Sequence, residues 1–297
     1  MTNRPVIQTF GLSKSYKTFA AVKAIDLTVR PNRITAFLGL NGAGKSTTIK
    51  MLLGMIRPTA GDASVLGCSI KEEAASVEIR RKIAYVSENK RLYDYMTVEQ
   101  MIRFTSSFYR DWQPARSDDL LRKFQLPLNR KVKSLSKGMR TKLALLLAFA
   151  RRTELIILDE PSEGLDPVGI EQLLEGIVAQ GSEGATVFFS SHQIDEVERI
   201  ADHVCVVDKG RIVMDASLDE LRQSYRRVDL VFSSPTEPTE FHITGVEDVR
   251  TRGNHMSIFA SGNADEVVAR AQYLNARSIE AVPVGLREVF LQKVRED

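Results

Sequence analysis

Cysteine is scarce: the 297 residues hold two, Cys68 and Cys205, far apart and in no C-x-x-C pair. That excludes a disulfide-stapled scaffold and a cysteine-rich zinc site, and it suits a reducing compartment. Long apolar runs are missing too. The longest, Leu143 to Ala150, is far short of the ~20 residues a membrane-crossing helix needs. The opening MTNRPVIQTF carries no apolar stretch behind a basic one, so no secretory leader is expected. Nor does one sign of charge dominate, since 41 Lys and Arg against 38 Asp and Glu leave +3, which gives little reason to expect a polyanion partner. Of four histidines, His203, His242 and His255 show no ligand spacing and read as structural or surface groups. What remains, 43% hydrophobic and 27% charged residues, is the composition of a globular chain. Its length suits about two domains, and the expected location is cytoplasmic.

From residue 5 to about 215, short apolar runs alternate with helical patterns, the pattern of a parallel-sheet α/β architecture. Strands are expected at Ile34–Gly39, Ile83–Ser87, Leu155–Leu158, Thr186–Ser190 and His203–Asp208, each nearly all apolar, as when both sheet faces are covered. Between the second and third lies a long helical insertion whose first helix opens on the capping box Thr97-Val98-Glu99-Gln100. After a helix at Leu218–Tyr225, the run Ser233 to Thr239 with Pro235 and Pro238 is a loop. Around it the pattern predicts strands at Asp229–Phe232, Phe241–Thr244, Met256–Ala260 and Ser278–Val284. Helices follow from Asn263 to Leu274 and on a face bearing Leu286, Val289, Phe290 and Val294, giving a small α+β domain.

Gly39-Leu40-Asn41-Gly42-Ala43-Gly44-Lys45-Ser46 follows a strand and opens a helix expected over Thr47–Met55, so both the G-x-x-x-x-G-K-[ST] pattern and its context are present. Glycines at these positions let successive backbone N–H groups converge on phosphate, and the helix N-terminus adds positive potential. Gly39, Asn41, Gly42, Ala43, Gly44, Lys45, Ser46 and Thr47 are therefore candidate nucleotide-binding residues, with Lys45 for the β/γ oxygens and the Ser46 hydroxyl for Mg²⁺. The strand Leu155–Leu158 ends in Asp159 and Glu160. Asp159 would hold Mg²⁺ through water, and Glu160 would act as general base on the attacking water.

Further motifs in order along the chain resemble the ABC ATPases. Leu135-Ser136-Lys137-Gly138-Met139 resembles their signature segment, Gly164-Leu165-Asp166 their D-loop, and Ser190-Ser191-His192 their switch histidine. Tyr16 stands where the family places an aromatic against adenine. The resemblance covers roughly residues 5 to 220 and implies a P-loop NTPase core of ABC type, a parallel or mixed sheet with a helical subdomain at about 89–150. Residues 1–226 are then the ATPase domain and 227–297 a small α+β C-terminal domain, regulatory or dimer-contacting. It also implies ATP and Mg²⁺ as cofactors and a head-to-tail dimer, homo- or heteromeric. In that dimer Ser136, Gly138 and Asp166 face a nucleotide held by the other subunit, and His192 helps Glu160 hold water. The usual Q-loop glutamine is replaced by Glu88, which can still ligate Mg²⁺ but adds negative charge; Lys137, Met139 and Glu163 also depart from the pattern.

Single-core chains of this kind look like the branch that pairs with separate integral-membrane permeases and exports drugs, antibiotics, lipids or polysaccharides. The expected place is then the inner face of the cell membrane, with Tyr93, Tyr95 and Trp112 either a docking surface for the permease or closing the subdomain core. The basic cluster Lys131, Lys133, Lys137, Arg140 and Lys142 brackets the signature and lacks interleaved aromatics, so no nucleic acid is expected. Two alternatives stay open: a soluble ABC-type ATPase acting on a macromolecule, and a low-turnover regulatory subunit.

Overall fold

The computed structural model describes residues 4–294. The chain runs β1 (Ile7–Tyr16), β2 (Phe19–Ile25), β3 (Thr28–Val29), β4 (Ile34–Leu38), α1 (Lys45–Leu52), β5 (Ala60–Val65), β6 (Cys68–Ser69), α2 (Glu73–Lys82) and β7 (Ile83–Val86). A helical stretch follows, α3 (Val98–Ser106), α4 (Pro114–Lys123) and α5 (Lys137–Phe149). Then come β8 (Leu155–Asp159), α6 (Pro167–Ser182), β9 (Thr186–Ser191), α7 (Ile194–Ile200), β10 (His203–Asp208) and β11 (Arg211–Ser217). The last part holds α8 (Leu218–Ser224), β12 (Arg226–Val231), β13 (Val246–Arg252), β14 (His255–Ala260), α9 (Ala264–Tyr273), β15 (Ser278–Pro283) and α10 (Leu286–Lys293).

One sheet has the order β11-β10-β4-β9-β8-β7, with β10, β4, β9, β8 and β7 mutually parallel. Its central strands β4, β8 and β9 are buried at every position, which is why their sequences are mostly apolar rather than alternating. A second, antiparallel sheet, β2-β1-β5-β6 with β3 on β1, packs over α1. The core between them takes every other residue of the parallel strands, Phe37, Leu155, Ile157, Phe188 and Cys205, together with Ile49, Met51 and Leu52 of α1 and Ile7 and Leu12 of β1. Phe37 and Phe188 meet at 5.6 Å. This mixed α/β core is the expected fold class. The antiparallel sheet is the part the apolar runs did not announce, because its strands are half exposed.

The helical stretch starts where expected. The Thr97 hydroxyl accepts from the Gln100 N–H while the Gln100 side chain accepts from the Thr97 N–H. It is anchored to the sheet by Arg151, which is 3% exposed. That guanidinium donates to the carbonyls of Ile83 and Arg81 at 2.6 and 2.7 Å, binds Asp111 through two nitrogens, and lies 3.6 Å from the centre of the Tyr109 ring.

The chain divides into two compact units between Asp215 and Ala216, eleven residues before the boundary expected at 226. The reason is local: Arg226 of β12 donates to the Arg222 carbonyl in α8, and Tyr225 lies against Phe259, so α8 goes with the second unit. That unit is an antiparallel sheet, β13-β14-β12-β15, whose face with Val228, Leu230, Met256 and Ile258 packs on Val267 and Ala271 of α9. The strand expected at Phe241–Thr244 is a correction: Pro238–Phe241 is a 3₁₀ turn that buries Phe241 completely, and the strand is Val246–Arg252. Its VEDVRTR sequence hides it, because an edge strand with one wet face needs few apolar residues.

Among the described residues no helix is long and apolar enough to cross a membrane.

Candidate functional site

The loop 39–44 leaves the carboxyl end of β4 at the middle of the parallel sheet, where open α/β sheets hold ligands. Two of its glycines are required by space. A Cβ on Gly39 would sit 2.3 Å from the Val207 carbonyl, and one on Gly44, which also has φ +104°, 2.5 Å from that of Ala21. Gly44 in this left-handed conformation starts α1 at Lys45, two residues ahead of the expected start. The first-turn N–H groups therefore open onto the loop.

Lys45 is 5% exposed. Its ammonium donates to the carbonyls of Gly39 and Leu40 at 2.7 and 3.1 Å and pairs with Glu160 Oε1 at 3.0 Å. Asp159, at the end of β8, is fully buried; its Oδ1 accepts from Ser190 Oγ at 2.7 Å and Ser46 Oγ at 3.0 Å. Burial raises its pKa above the ordinary carboxylate value, the two serine hydrogen bonds pull it back, and Glu88 and Glu160 push it up further. Asp159 Oδ2 is buried with no hydrogen-bond partner. An orphaned carboxylate oxygen beside a serine hydroxyl fits a hard divalent cation, for which Ser46, Asp159 and Glu88 are the oxygen donors at hand. No group of three or more His, Cys, Asp or Glu among the described residues could hold a metal alone, so phosphate oxygens or water would complete the shell.

Glu160 is held through its side chain and both its backbone groups, the carbonyl also accepting from the Glu163 N–H at 3.3 Å. Besides Lys45, its Oε2 lies 2.8 Å from His192 Nδ1, its N–H donates to Ser190 Oγ at 2.9 Å, and its carbonyl accepts from Lys90 Nζ at 2.9 Å. Its φ is +46°, a left-handed conformation that costs a non-glycine residue about 1–3 kcal/mol, and the following Pro161 restricts it further. The site therefore fixes one carboxylate in a strained pose beside a lysine, a histidine and a second carboxylate.

Lys45, Ser46, Glu160 and His192 line a cavity of about 550 Å³ together with Tyr16, Phe19, Ala21, Asn41, Gly42, Gly44, Thr47, Glu88 and Glu163. Tyr16 and Phe19, paired at the end of the β1–β2 hairpin, are 47% and 62% exposed, an open aromatic platform at one end of it. The loop, Asp159, Glu160, His192, Glu88 and Tyr16 are thus brought together. Ser136, Gly138 and Asp166 are not among the residues lining the cavity. Ser136 caps α5 by accepting from the Met139 N–H, Asp166 caps α6 by accepting from the Gly169 N–H, and Gly138 leaves no room for a Cβ against the Gly164 carbonyl. Lys137 pairs with Glu163 at 2.6 Å, and that hydrogen bond holds the Glu163 carboxyl below its ordinary value.

Three residues here escaped the sequence reading. Phe19 and Lys90 belong to no motif, and a buried lysine carries no signal in sequence. Glu196, on α7, is 7% exposed, and its Oε1 has no hydrogen-bond partner. Burial raises its pKa above 4.5, with Ser162 opposing. The folded state thus binds this proton more tightly than the unfolded chain. The penalty is absent below the unfolded value and complete once pH exceeds the folded one. Glu196→Gln is expected to raise the thermal midpoint at pH 8 and to give no gain at pH 4, read from paired unfolding curves.

On the outer side of the helical stretch, Tyr95, Tyr93, Phe104 and Phe108 form a chain of ring contacts at 5.8, 5.4 and 4.9 Å. Tyr95 and Phe108 are 68% and 67% exposed. Trp112 is half buried and makes an isolated bridge to Arg151 instead.

Residues 22–163 match the family model described as ABC transporter. An uncharacterized ABC transporter ATP-binding protein of Bacillus subtilis is 32% identical over 95% of this chain and 96% of its own. The bacitracin transport ATP-binding protein of Bacillus licheniformis is 33% identical over 75% of this chain and 73% of its own. Among solved structures, an ATP-binding subunit of an ABC transporter superposes with a TM-score of 0.67 at 32% identity, covering 73% of this chain and 92% of that one. A cassette solved as a dimer with ADP and Pi shares the fold at 22% identity and a TM-score of 0.65, over 71% and 98% of the two chains.

Proposed function

The chain belongs to the family of ABC transporter ATP-binding proteins, and from that membership we propose that it is the ATP-hydrolysing subunit of a membrane exporter whose permease is a separate chain. The observation that carries the reading is Glu160, a buried carboxylate locked between the loop lysine and a histidine at the wall of a cavity sized for a nucleotide.

In this reading the adenine stacks on Tyr16 and the phosphates lie on the N–H groups of residues 42–47, with Lys45 swinging from Glu160 to the γ-phosphate. Ser46, Asp159 and Glu88 would hold Mg²⁺, which supplies neutralisation of phosphate charge when bound. Glu160 takes the proton of a water whose oxygen attacks the γ-phosphorus; the bond to the bridging oxygen breaks, and the electron pair leaves with ADP. His192 keeps Glu160 and the γ-phosphate in register. Ser136, Gly138 and Asp166, outside the cavity of their own chain, serve the nucleotide of a second ATPase subunit. The exposed aromatic strip from Tyr95 to Phe108 is the docking face for the permease, and transport follows from the dimer closing on ATP and reopening after hydrolysis. The bacitracin transport relative of similar sequence supports a role in transport.

Glu160→Gln protein, loaded with ATP and drawn from detergent-solubilised membranes, is expected to bring down a protein with several membrane spans. Copurification of ribosomal or DNA-associated proteins with no membrane protein would overturn the exporter reading.

A further inference from the structure

Among the described residues, Lys90 carries an ammonium that reaches the backbone of Glu160. It ends a tight turn after β7, in which its own N–H donates to the Ser87 carbonyl, and it has φ +40°, so the turn is itself in the left-handed region. The turn sends its two charged side chains in different directions. Glu88 lines the nucleotide cavity, whereas Lys90 is 6% exposed and runs beneath it to donate to the Glu160 carbonyl at 2.9 Å. Burying an ammonium is costly. A neutral side chain would fill this space more cheaply, so the fold keeps a group here that packing does not require.

What it holds is the strained residue. The left-handed φ of Glu160, ahead of Pro161, is stable only if the peptide planes on both sides are fixed. Ser190 Oγ fixes the N–H side, and on the carbonyl side Lys90 Nζ at 2.9 Å adds to a longer turn bond from the Glu163 N–H at 3.3 Å. The direction of the Cα–Cβ bond, and with it the reach of the carboxylate, depends on both. We propose that Lys90 is a positioning residue for hydrolysis: through the Glu160 carbonyl it aims the general base at the attacking water. Lys90 also lines a second cavity of about 170 Å³ with Tyr85, Arg91, Tyr109 and Arg151, next to the helical stretch. A shift in that wall therefore reaches Glu160 without touching the nucleotide. The inference rests on Glu160 being the base.

The test is steady-state ATP hydrolysis and equilibrium ATP binding by the full chain with Lys90→Met, Lys90→Gln and Lys90→Arg, beside Glu160→Gln in the same assay. Removing the donor is expected to lower kcat 10- to 100-fold, the scale of a misaimed catalytic group. KM and the Kd for ATP should stay within about threefold, since no nucleotide contact is lost, and Lys90→Arg should recover most of kcat. Lys90→Met and Lys90→Gln with wild-type kcat would overturn the proposal. So would a loss confined to KM or Kd, or a loss that Lys90→Arg shares in full, because either marks a structural lysine. If Lys90→Met does not fold, Lys90→Gln and Lys90→Arg decide by the same readings. An active Glu160→Gln would instead sink the assignment of the base, whatever the Lys90 variants do.

Discussion

Glu160→Gln is expected to lower kcat for ATP hydrolysis by about 10²–10⁴-fold, the range a positioned general base supplies, while leaving ATP binding intact. The substitution suits the site. An amide keeps the volume of the carboxylate, its oxygen can still accept from Lys45 at the Oε1 position, and its NH₂ can donate to His192 Nδ1 where Oε2 now stands. The backbone clamp from Ser190 and Lys90 does not involve the side chain at all. Proton affinity is therefore what changes. Without a group to take the proton, the water oxygen is a poor nucleophile, and bound ATP persists. If two subunits close on ATP, the variant should accumulate as an ATP-loaded dimer on gel filtration and stay monomeric with ADP. Phosphate release at the wild-type rate would show that another group takes the proton.

The parts legible in sequence were those where chemistry and backbone geometry demand particular residue types. The phosphate loop needs glycine where Gly39 and Gly44 have no room for a Cβ, and the central strands read as apolar runs because both their faces are covered. The capping box at Thr97 states its own hydrogen bonds, and they form. What stayed hidden depends on contacts between distant segments. β13 is an edge strand in which charged residues sit on the half-buried as well as the exposed positions, so its period is invisible, while Phe241 looked like a strand residue and is the buried anchor of a 3₁₀ turn. Lys90 belongs to no motif and drew no expectation. Only the path of β7 beside β8 carries it to the Glu160 carbonyl seventy residues away. The departures Lys137 and Glu163, separately unexplained in sequence, prove to be partners of each other. Such pairs cannot be read from one sequence, because neither residue type nor spacing encodes them.

Lys45→Ala is expected to weaken ATP binding by roughly 10- to 100-fold, the worth of charge-assisted hydrogen bonds to phosphate, and also to destabilise the fold. The second effect follows from where Lys45 sits. Its side chain and that of Glu160 are 5% and 8% exposed, so truncating the lysine leaves a buried carboxylate with only His192 to balance it. Removing one partner of a buried pair costs about 3–5 kcal/mol, and His192 brings the expected loss to the lower end of that range. The two effects separate in a double-mutant cycle. In the Glu160→Gln background the carboxylate is gone, so adding Lys45→Ala should cost much less stability, read from denaturant unfolding. The loss of ATP affinity should remain undiminished, because that part belongs to the phosphate and not to Glu160. Equal destabilisation in both backgrounds would mean that Lys45 stabilises the loop through the Gly39 and Leu40 carbonyls instead. Unchanged affinity in both would remove Lys45 from the nucleotide site altogether.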